Sequence, residues 1–515
     1  MEIKDRFIQQ ITQGYGSANA ISIGAAMLDG TPIKEAQVKI PLKTLNRHGL
    51  IAGATGTGKT VTLQIIAESM SAAGIPVLMM DLKGDLSGIA TAGVINPKIE
   101  ERHQLIGLPY NPKATFTELM TISGREGVKL RATVSEFGPV LFSKILELNE
   151  TQSGLVAMLF KYADDKGLLL LDLKDFKALL KFATEDGKAE LQKEYGNIST
   201  ASIGTILRKI VELESQGAEH FFGEKSFDVE DLLKKDANGL GIASIIRLTD
   251  IQDKPKLFST FMLSLLAEIY ATFPEAGDLD KPKLCVFIDE AHLIFNEASK
   301  ALLDQIESII KLIRSKGVGI YFITQNPYDV PDAVLAQLGL KVQHALRAFT
   351  EKDRKAIKKT AENYPISEFY KTDELLTSLG IGQALISALN EKGIPTPLAA
   401  VHLKAPASRI GVLTPDEINS IHAKSQLVNK YNSVVDRESA YELLNKRLED
   451  KADAAVSSEE EEPKSKKSPK QEKSIIQKAS ENTMVRQVGR TVFKELARGL
   501  LGALGIGGKK KSGWF

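Results

Sequence analysis

The sequence predicts an α/β fold built on a mainly parallel sheet, and three observations predict it. A short apolar run, a glycine loop and an amphipathic helix follow one another between His48 and Ser69. Three further apolar runs each end in a polar or acidic residue, at Asp81, at Asp289-Glu290 and at Gln325. Between residues 96 and 236, by contrast, apolar residues recur at three- and four-residue spacing, the period of helices.

The 515 residues allow two or three domains. With 43% hydrophobic and 25% charged residues the composition is that of a soluble globular protein. Lys plus Arg number 66 against 65 Asp plus Glu, so no global basic field announces nucleic acid, and any such binding must come from a local patch. The one cysteine, Cys285, lies in an apolar run and fits a reducing cytosol. No secretory signal and no apolar run long enough to span a bilayer is present; a cytoplasmic location is expected.

In chain order, residues 1–47 contain short candidate strands at Ala20–Met27 and Val38–Pro41, expected at an edge of the sheet. Leu50, Ile51 and Ala52 form a buried-strand run. Gly53-Ala54-Thr55-Gly56-Thr57-Gly58-Lys59-Thr60 then completes G-x-x-x-x-G-K-[ST], a phosphate-binding loop. Its glycines let backbone amides converge on phosphates, and the following helix adds its positive N-terminus. Lys59 is expected to reach the β- and γ-phosphates, Thr60 to ligate Mg²⁺, and Thr62 to belong to the same nucleotide-binding set. Ile75–Met80 is a second strand delivering Asp81, which is placed either to face the nucleotide or Mg²⁺ or to cap the turn Leu82-Lys83-Gly84.

A first part of the nucleotide-binding domain thus spans residues 1–95, a mainly helical insertion 96–236, and the second part 237–410. Within that second part, Lys283–Ile288 is an unbroken strand whose carboxyl end carries Asp289 and Glu290. Such a pair suits a metal ligand, Asp289, beside a base, Glu290, that orients and deprotonates the attacking water. The strand Val318–Thr324 ends at Gln325, a group able to hydrogen-bond a γ-phosphate or that water. Arg314, at the end of the preceding helix, reads on chemistry alone equally as a cation complementing the helix dipole. Arg347, late in a further strand, reaches a neighbour's phosphate or pairs with an acid.

Residues 411–448 read as outer helices and 449–473 as a disordered linker of Glu, Lys, Ser and Pro. From 474 to 515 a basic, glycine-rich tail sets Arg486, Arg490, Lys494 and Arg498 opposite Val488, Val492, Leu496 and Leu500. Such a helix docks on the protein's own assembly or another protein, lies on an anionic membrane surface, or tracks phosphates.

GATGTGKT, MMDLKGD, VFIDEAH and RSKGVGIYFITQNP together resemble the HerA-like ATPases of the FtsK–HerA branch of RecA-like motors, nearest the bacterial YjgR-type members with a long helical insertion and a glycine-rich basic tail. The resemblance implies a RecA-like P-loop fold, hydrolysis of ATP with Mg²⁺, and a homo-hexameric ring acting on duplex DNA. It also implies that Gln325 is a sensor and that Arg314 acts in trans on a neighbouring subunit's ATP, with Arg347 the other candidate. Characterised HerA motors carry an N-terminal β-barrel, whereas 47 residues precede the strand-and-loop unit here, so docking onto a nuclease partner is not implied. A secretion-type or membrane-assembly ATPase, or a nucleotide-binding scaffold, is the alternative.

Overall fold

Uninterrupted apolar runs such as Val77-Leu78-Met79-Met80 and Leu284-Cys285-Val286-Phe287-Ile288 leave no polar face, so a sheet made of them must be covered by helices on both sides. The computed structural model of the protein describes residues 2–450 apart from 298–299, 349, 434, 436 and 448–449. The sequence-predicted linker 449–473 and tail 474–515 therefore lie outside the described residues, apart from Asp450. Two compact units result, one of residues 1–130 and 228–432, the other of 131–227 with the chain from 433 onward.

The first unit opens with α1 (Ile3–Tyr15), β1 (Ala20–Leu28), β2 (Thr31–Pro41), β3 (Gly49–Ala52), α2 (Lys59–Ala72), β4 (Val77–Asp81), α3 (Pro97–Ile106), β5 (Thr117–Thr121) and β6 (Val128–Lys129). The second unit holds α4 (Val134–Ile145), α5 (Glu150–Lys166), α6 (Leu173–Thr184), α7 (Lys188–Tyr195) and α8 (Thr200–Ser215). The chain returns to the first unit with β7 (Ala243–Arg247), α9 (Pro255–Thr272), β8 (Leu284–Ile288), α10 (His292–Glu297), α11 (Lys300–Ile313), β9 (Val318–Thr324), β10 (Leu340–Gln343), β11 (Gln383–Ser387) and β12 (Ala399–Leu403).

Among the described residues twelve strands form one sheet in the order β2-β1-β12-β11-β10-β3-β9-β8-β4-β7-β5-β6. From β10 to β6 neighbours are parallel, and from β2 to β10 they are antiparallel. The sheet is thus mixed, with the expected parallel part running from β10 to the β6 edge and the β1–β2 hairpin at the opposite edge. β4, β8 and β9 are buried along their whole length. α2 packs over β1, β3, β4 and β7, while α10 and α11 both pack on α9.

Two sequence expectations are corrected. The helical unit begins at 131 rather than 96, because residues 96–130 supply α3, β5 and β6 to the sheet unit. β5 escapes an apolar-run reading because its sequence, TELMT, buries polar groups; Glu118 is 5% exposed and accepts from the Ser425 hydroxyl at 2.6 Å. The opening segment also carries the helix α1, whose Phe7, Ile11 and Tyr15 are buried at four-residue spacing. Phe7 meets Phe369 edge-on at 5.1 Å and Tyr370 at 6.1 Å. Phe7→Ala is expected to destabilise the protein by about 3–5 kcal/mol in chemical denaturation, the usual cost of emptying a buried aromatic site; a loss below about 1 kcal/mol would show that α1 contributes no core.

The second unit is a helical cluster with legible starts: capping boxes at Thr133/Glu136, Asn149/Gln152 and Asp172/Asp175 open α4, α5 and α6. Its interior is aromatic, with Phe142 5.0 Å from Phe176 and Phe137 5.0 Å from Phe222.

Candidate functional site

Parallel register brings the polar strand ends together. Ala52 lies opposite Thr324, Ile288 opposite Phe322, and Met80 opposite Ile288. The residues that follow, Gly53, Gln325, Asp289 and Asp81, therefore emerge along one edge of the sheet. This edge is the carboxyl end of the parallel strands, where open α/β sheets gather ligands.

The loop between β3 and α2 is fixed by backbone bonds at both ends. The Gly53 amide donates to the Thr324 carbonyl at 3.3 Å, Ala54 to Ala345 at 2.9 Å, and Gly382 to the Thr57 carbonyl at 3.3 Å. Gly58, with φ 109°, caps α2 in the left-handed region, which a side chain would strain. Gly53 is required for space as well: a Cβ there would stand 2.5 Å from the Cβ of His344. Gly53→Ala is therefore expected to push the loop outward by about 1 Å and to weaken triphosphate binding on the order of 100-fold in calorimetry, with an unchanged circular dichroism spectrum. Unaltered affinity would mean that the loop does not hold phosphate.

Lys59 is 8% exposed and folds back on the loop, donating to the Gly53 carbonyl at 2.8 Å and the Ala54 carbonyl at 3.1 Å. Burial, and then the charge of Lys83, hold its ammonium below the ordinary lysine range against the pull of Glu290 and Asp289. Thr60 is half-buried at the start of α2, and Thr55 and Gly56 are exposed. Thr55 Oγ1 donates to Gln325 Oε1 at 3.4 Å, joining the loop to the end of β9. Behind Gln325, Asn326 and Asp329 form a capping box that holds the turn.

Asp289 is 3% exposed, and its Oδ2 has no hydrogen-bond partner. Burial, and then the neighbouring Glu290 charge, pushes its carboxyl up to about 6, with Lys83 opposing. Glu290 adopts φ 48°, a left-handed conformation that costs a residue with a Cβ roughly 1–2 kcal/mol. The next residue anchors it: the Ala291 amide donates to the Ile323 carbonyl of β9 at 2.9 Å. One Glu290 carboxylate oxygen pairs with Lys83, and the other stands 3.2 Å from His292 Nδ1. Lys83 is held above its ordinary value because, although burial opposes it, Glu290 accepts its hydrogen bond and Asp289 and Asp85 add negative charge.

Two predicted nucleotide-binding side chains are occupied otherwise. Thr62 is 2% exposed and its hydroxyl is bound to His344 Nε2 at 2.9 Å. Asp81 is fully buried and accepts from the amides of Gly84 at 2.6 Å and Leu86 at 3.2 Å, the turn-capping alternative. Burial, only partly offset by the Gly84 amide, raises its carboxyl to about 7. Both residues shape the loops around the site.

The two arginines lie at opposite edges. Arg347 is exposed and follows β10 on the phosphate-loop edge. Arg314 is exposed, and it precedes β9, whose seven residues separate it from Gln325 by about 20 Å. It does not reach its own chain's loop. Beside it the buried His48 accepts from the Ile320 amide through Nδ1 at 2.9 Å and bonds the Ile310 carbonyl through Nε2 at 3.0 Å. Burial, against the Ile310 bond, drives its imidazole down to about 4. His48, Lys83 and His344 were not singled out by the sequence motifs, although Lys83 lies within one, His48 shortly before another and His344 just past the end of β10. Only their buried partners reveal them.

Residues 27–511 match the family described as "Helicase HerA-like C-terminal". The chain is 24% identical over 361 residues to the DNA double-strand break repair helicase HerA of Sulfolobus acidocaldarius, a match covering 68% of this chain and 64% of that protein. It is 24% identical over 359 residues to the same-named protein of Saccharolobus solfataricus, with the same two coverages. The chain thus spans less than two thirds of the length of these relatives. Among solved structures it is similar to the bacterial conjugative coupling protein TrwBdeltaN70 in its unbound monoclinic form, with a TM-score of 0.51 at 15% identity over 79% of this chain and 93% of that one. The plasmid coupling protein TrwB in complex with the non-hydrolysable GTP analogue GDPNP gives a TM-score of 0.52 at 15% identity, over 79% and 94%. That likeness shows the RecA-like P-loop fold.

Proposed function

The chain belongs to the helicase HerA-like C-terminal family, and we propose from this that it hydrolyses ATP with Mg²⁺ and works as a homo-hexameric ring that translocates or remodels duplex DNA. The observation that carries the reading is the convergence of Lys59, Asp289, Glu290 and Gln325 on one strand edge around a phosphate loop. The printed name of the Sulfolobus relatives, a DNA double-strand break repair helicase, supports DNA as the substrate.

The residues present fit Mg²⁺. Asp289 offers a buried carboxylate oxygen with no hydrogen-bond partner, and Thr60 stands at the opening of α2, so these two would hold the ion. Bound there, Mg²⁺ would supply positive charge to neutralise negative charge developing in the reaction. Lys59 exchanges the Gly53 and Ala54 carbonyls for phosphate oxygens. Glu290, held by its strained backbone and by Lys83, orients a water for in-line attack and accepts its proton. Gln325, tethered to Thr55, stands where the γ-phosphate end of the loop opens and registers whether that group is present. Arg314, on the far edge, acts only across a subunit boundary, while Arg347 is the candidate on the near edge.

The test is ATP turnover with and without duplex DNA at low and high salt. A DNA motor is expected to be stimulated by duplex, with affinity falling steeply as salt rises. Turnover unchanged by saturating duplex at low salt would remove DNA as the substrate and leave the ATPase reading standing.

A further inference from the structure

The phosphate loop accounts for a triphosphate but not for the nucleoside attached to it. A triphosphate seated in the loop has its α-phosphate nearest the start of α2, so the nucleoside leaves past Thr57 and Gly58. The segment that borders that exit is Gly380-Ile381-Gly382, the turn leading into β11. Its Gly382 amide donates to the Thr57 carbonyl at 3.3 Å, and a Cβ on Gly58 would lie 3.5 Å from the same nitrogen.

Ile381 is 72% exposed, yet its backbone is tightly held. Arg102 on α3 donates through Nη1 to the Leu403 carbonyl at 2.9 Å and the Gly382 carbonyl at 3.3 Å, and through Nη2 to the Ile381 carbonyl at 3.4 Å. The Leu403 amide adds a bond to Gly382 at 3.0 Å, and Gln383 Oε1 accepts from the Gly380 amide at 2.8 Å. Gly382 has φ 73°, and a Cβ there would approach the Arg102 guanidinium to 3.0 Å, so the turn depends on glycine. Five hydrogen bonds thus fix a turn whose one large side chain is left in water beside the nucleoside's exit. A rigid exposed aliphatic group of that kind offers a flat base a surface to cover, at no ordering cost when the ligand arrives.

We propose that Ile381 is the platform for the nucleotide base, with Arg102 as the residue that positions it, so that the site selects nucleoside triphosphates over bare triphosphate. The inference rests on the nucleotide reading given above. Contact through the base face carries no hydrogen-bond readout, so it does not discriminate among bases.

The experiment measures Mg-ATP and Mg-tripolyphosphate binding by calorimetry to the full chain and to Ile381→Ser and Ile381→Trp. Ile381→Ser is expected to weaken ATP about tenfold and leave tripolyphosphate unchanged, as loss of part of one aliphatic side chain's burial would. Ile381→Trp is expected to tighten ATP alone. ATP affinity unmoved by both variants, or ATP and tripolyphosphate weakened together, overturns the platform while leaving the phosphate site intact. Wild-type protein that binds neither ligand overturns the nucleotide reading itself, and the platform with it.

Discussion

Glu290→Gln is expected to lower ATP turnover by about 100- to 10,000-fold while ATP still binds with near wild-type affinity. The carboxylate sits at the carboxyl end of β8, next to the metal-binding candidate Asp289, and its backbone is held at φ 48° whatever the side chain. Glutamine keeps the volume and one acceptor oxygen for Lys83, so the fold and the loop should be undisturbed. What it cannot do is take a proton from water. Single-turnover hydrolysis, measured beside equilibrium ATP binding, separates the two effects. If Glu290→Gln turned over ATP at the wild-type rate, the protein would be a nucleotide-binding scaffold or would use another base.

Lys59→Ala is expected to fail one step earlier. The ammonium is the cation that bonds the loop's own carbonyls, and its removal should cost at least about 100-fold in kcat/KM, as loss of a preorganised electrostatic contact does. Triphosphate affinity should fall with it, in contrast to Glu290→Gln. The alanine variant also loses the bonds to the Gly53 and Ala54 carbonyls, so thermal denaturation belongs in the same experiment. Retained ATP binding in a folded Lys59→Ala protein would show that the loop amides alone carry affinity.

Much of this was legible because the chemistry lies on strands that announce themselves. Runs with no polar residue, such as Leu284–Ile288, end abruptly at acids, and the glycine spacing of residues 53–60 has few other uses. Gln325 stood out as the polar end of the strand after the acid-bearing one, its expected role as a sensor came from the family resemblance, and the structure adds its contact with Thr55. What stayed hidden was chemistry that depends on burial of polar groups. TELMT in β5 fell within the expected helical insertion, because nothing in its sequence shows that Ser425 satisfies the buried Glu118. Thr62 looks like a nucleotide ligand by its place after the motif, and only its bond to His344 turns it inward. Asp81 has the position of a metal ligand, but the amides of Gly84 and Leu86 claim it. α1 was within reach, since Ile3, Phe7, Ile11 and Tyr15 repeat every four residues, but a charged and glycine-punctuated opening obscured it. The division at residue 131 left no composition change to find.

Lys59 bound to the carbonyls of its own loop means that filling the site is a substitution reaction. An incoming anion must break this internal latch before it gains the ammonium, so an ion that offers a single acceptor is favoured less than one that offers several oxygens to the ammonium and the loop amides together. The cost of opening that latch comes before any base, metal or neighbouring subunit takes part.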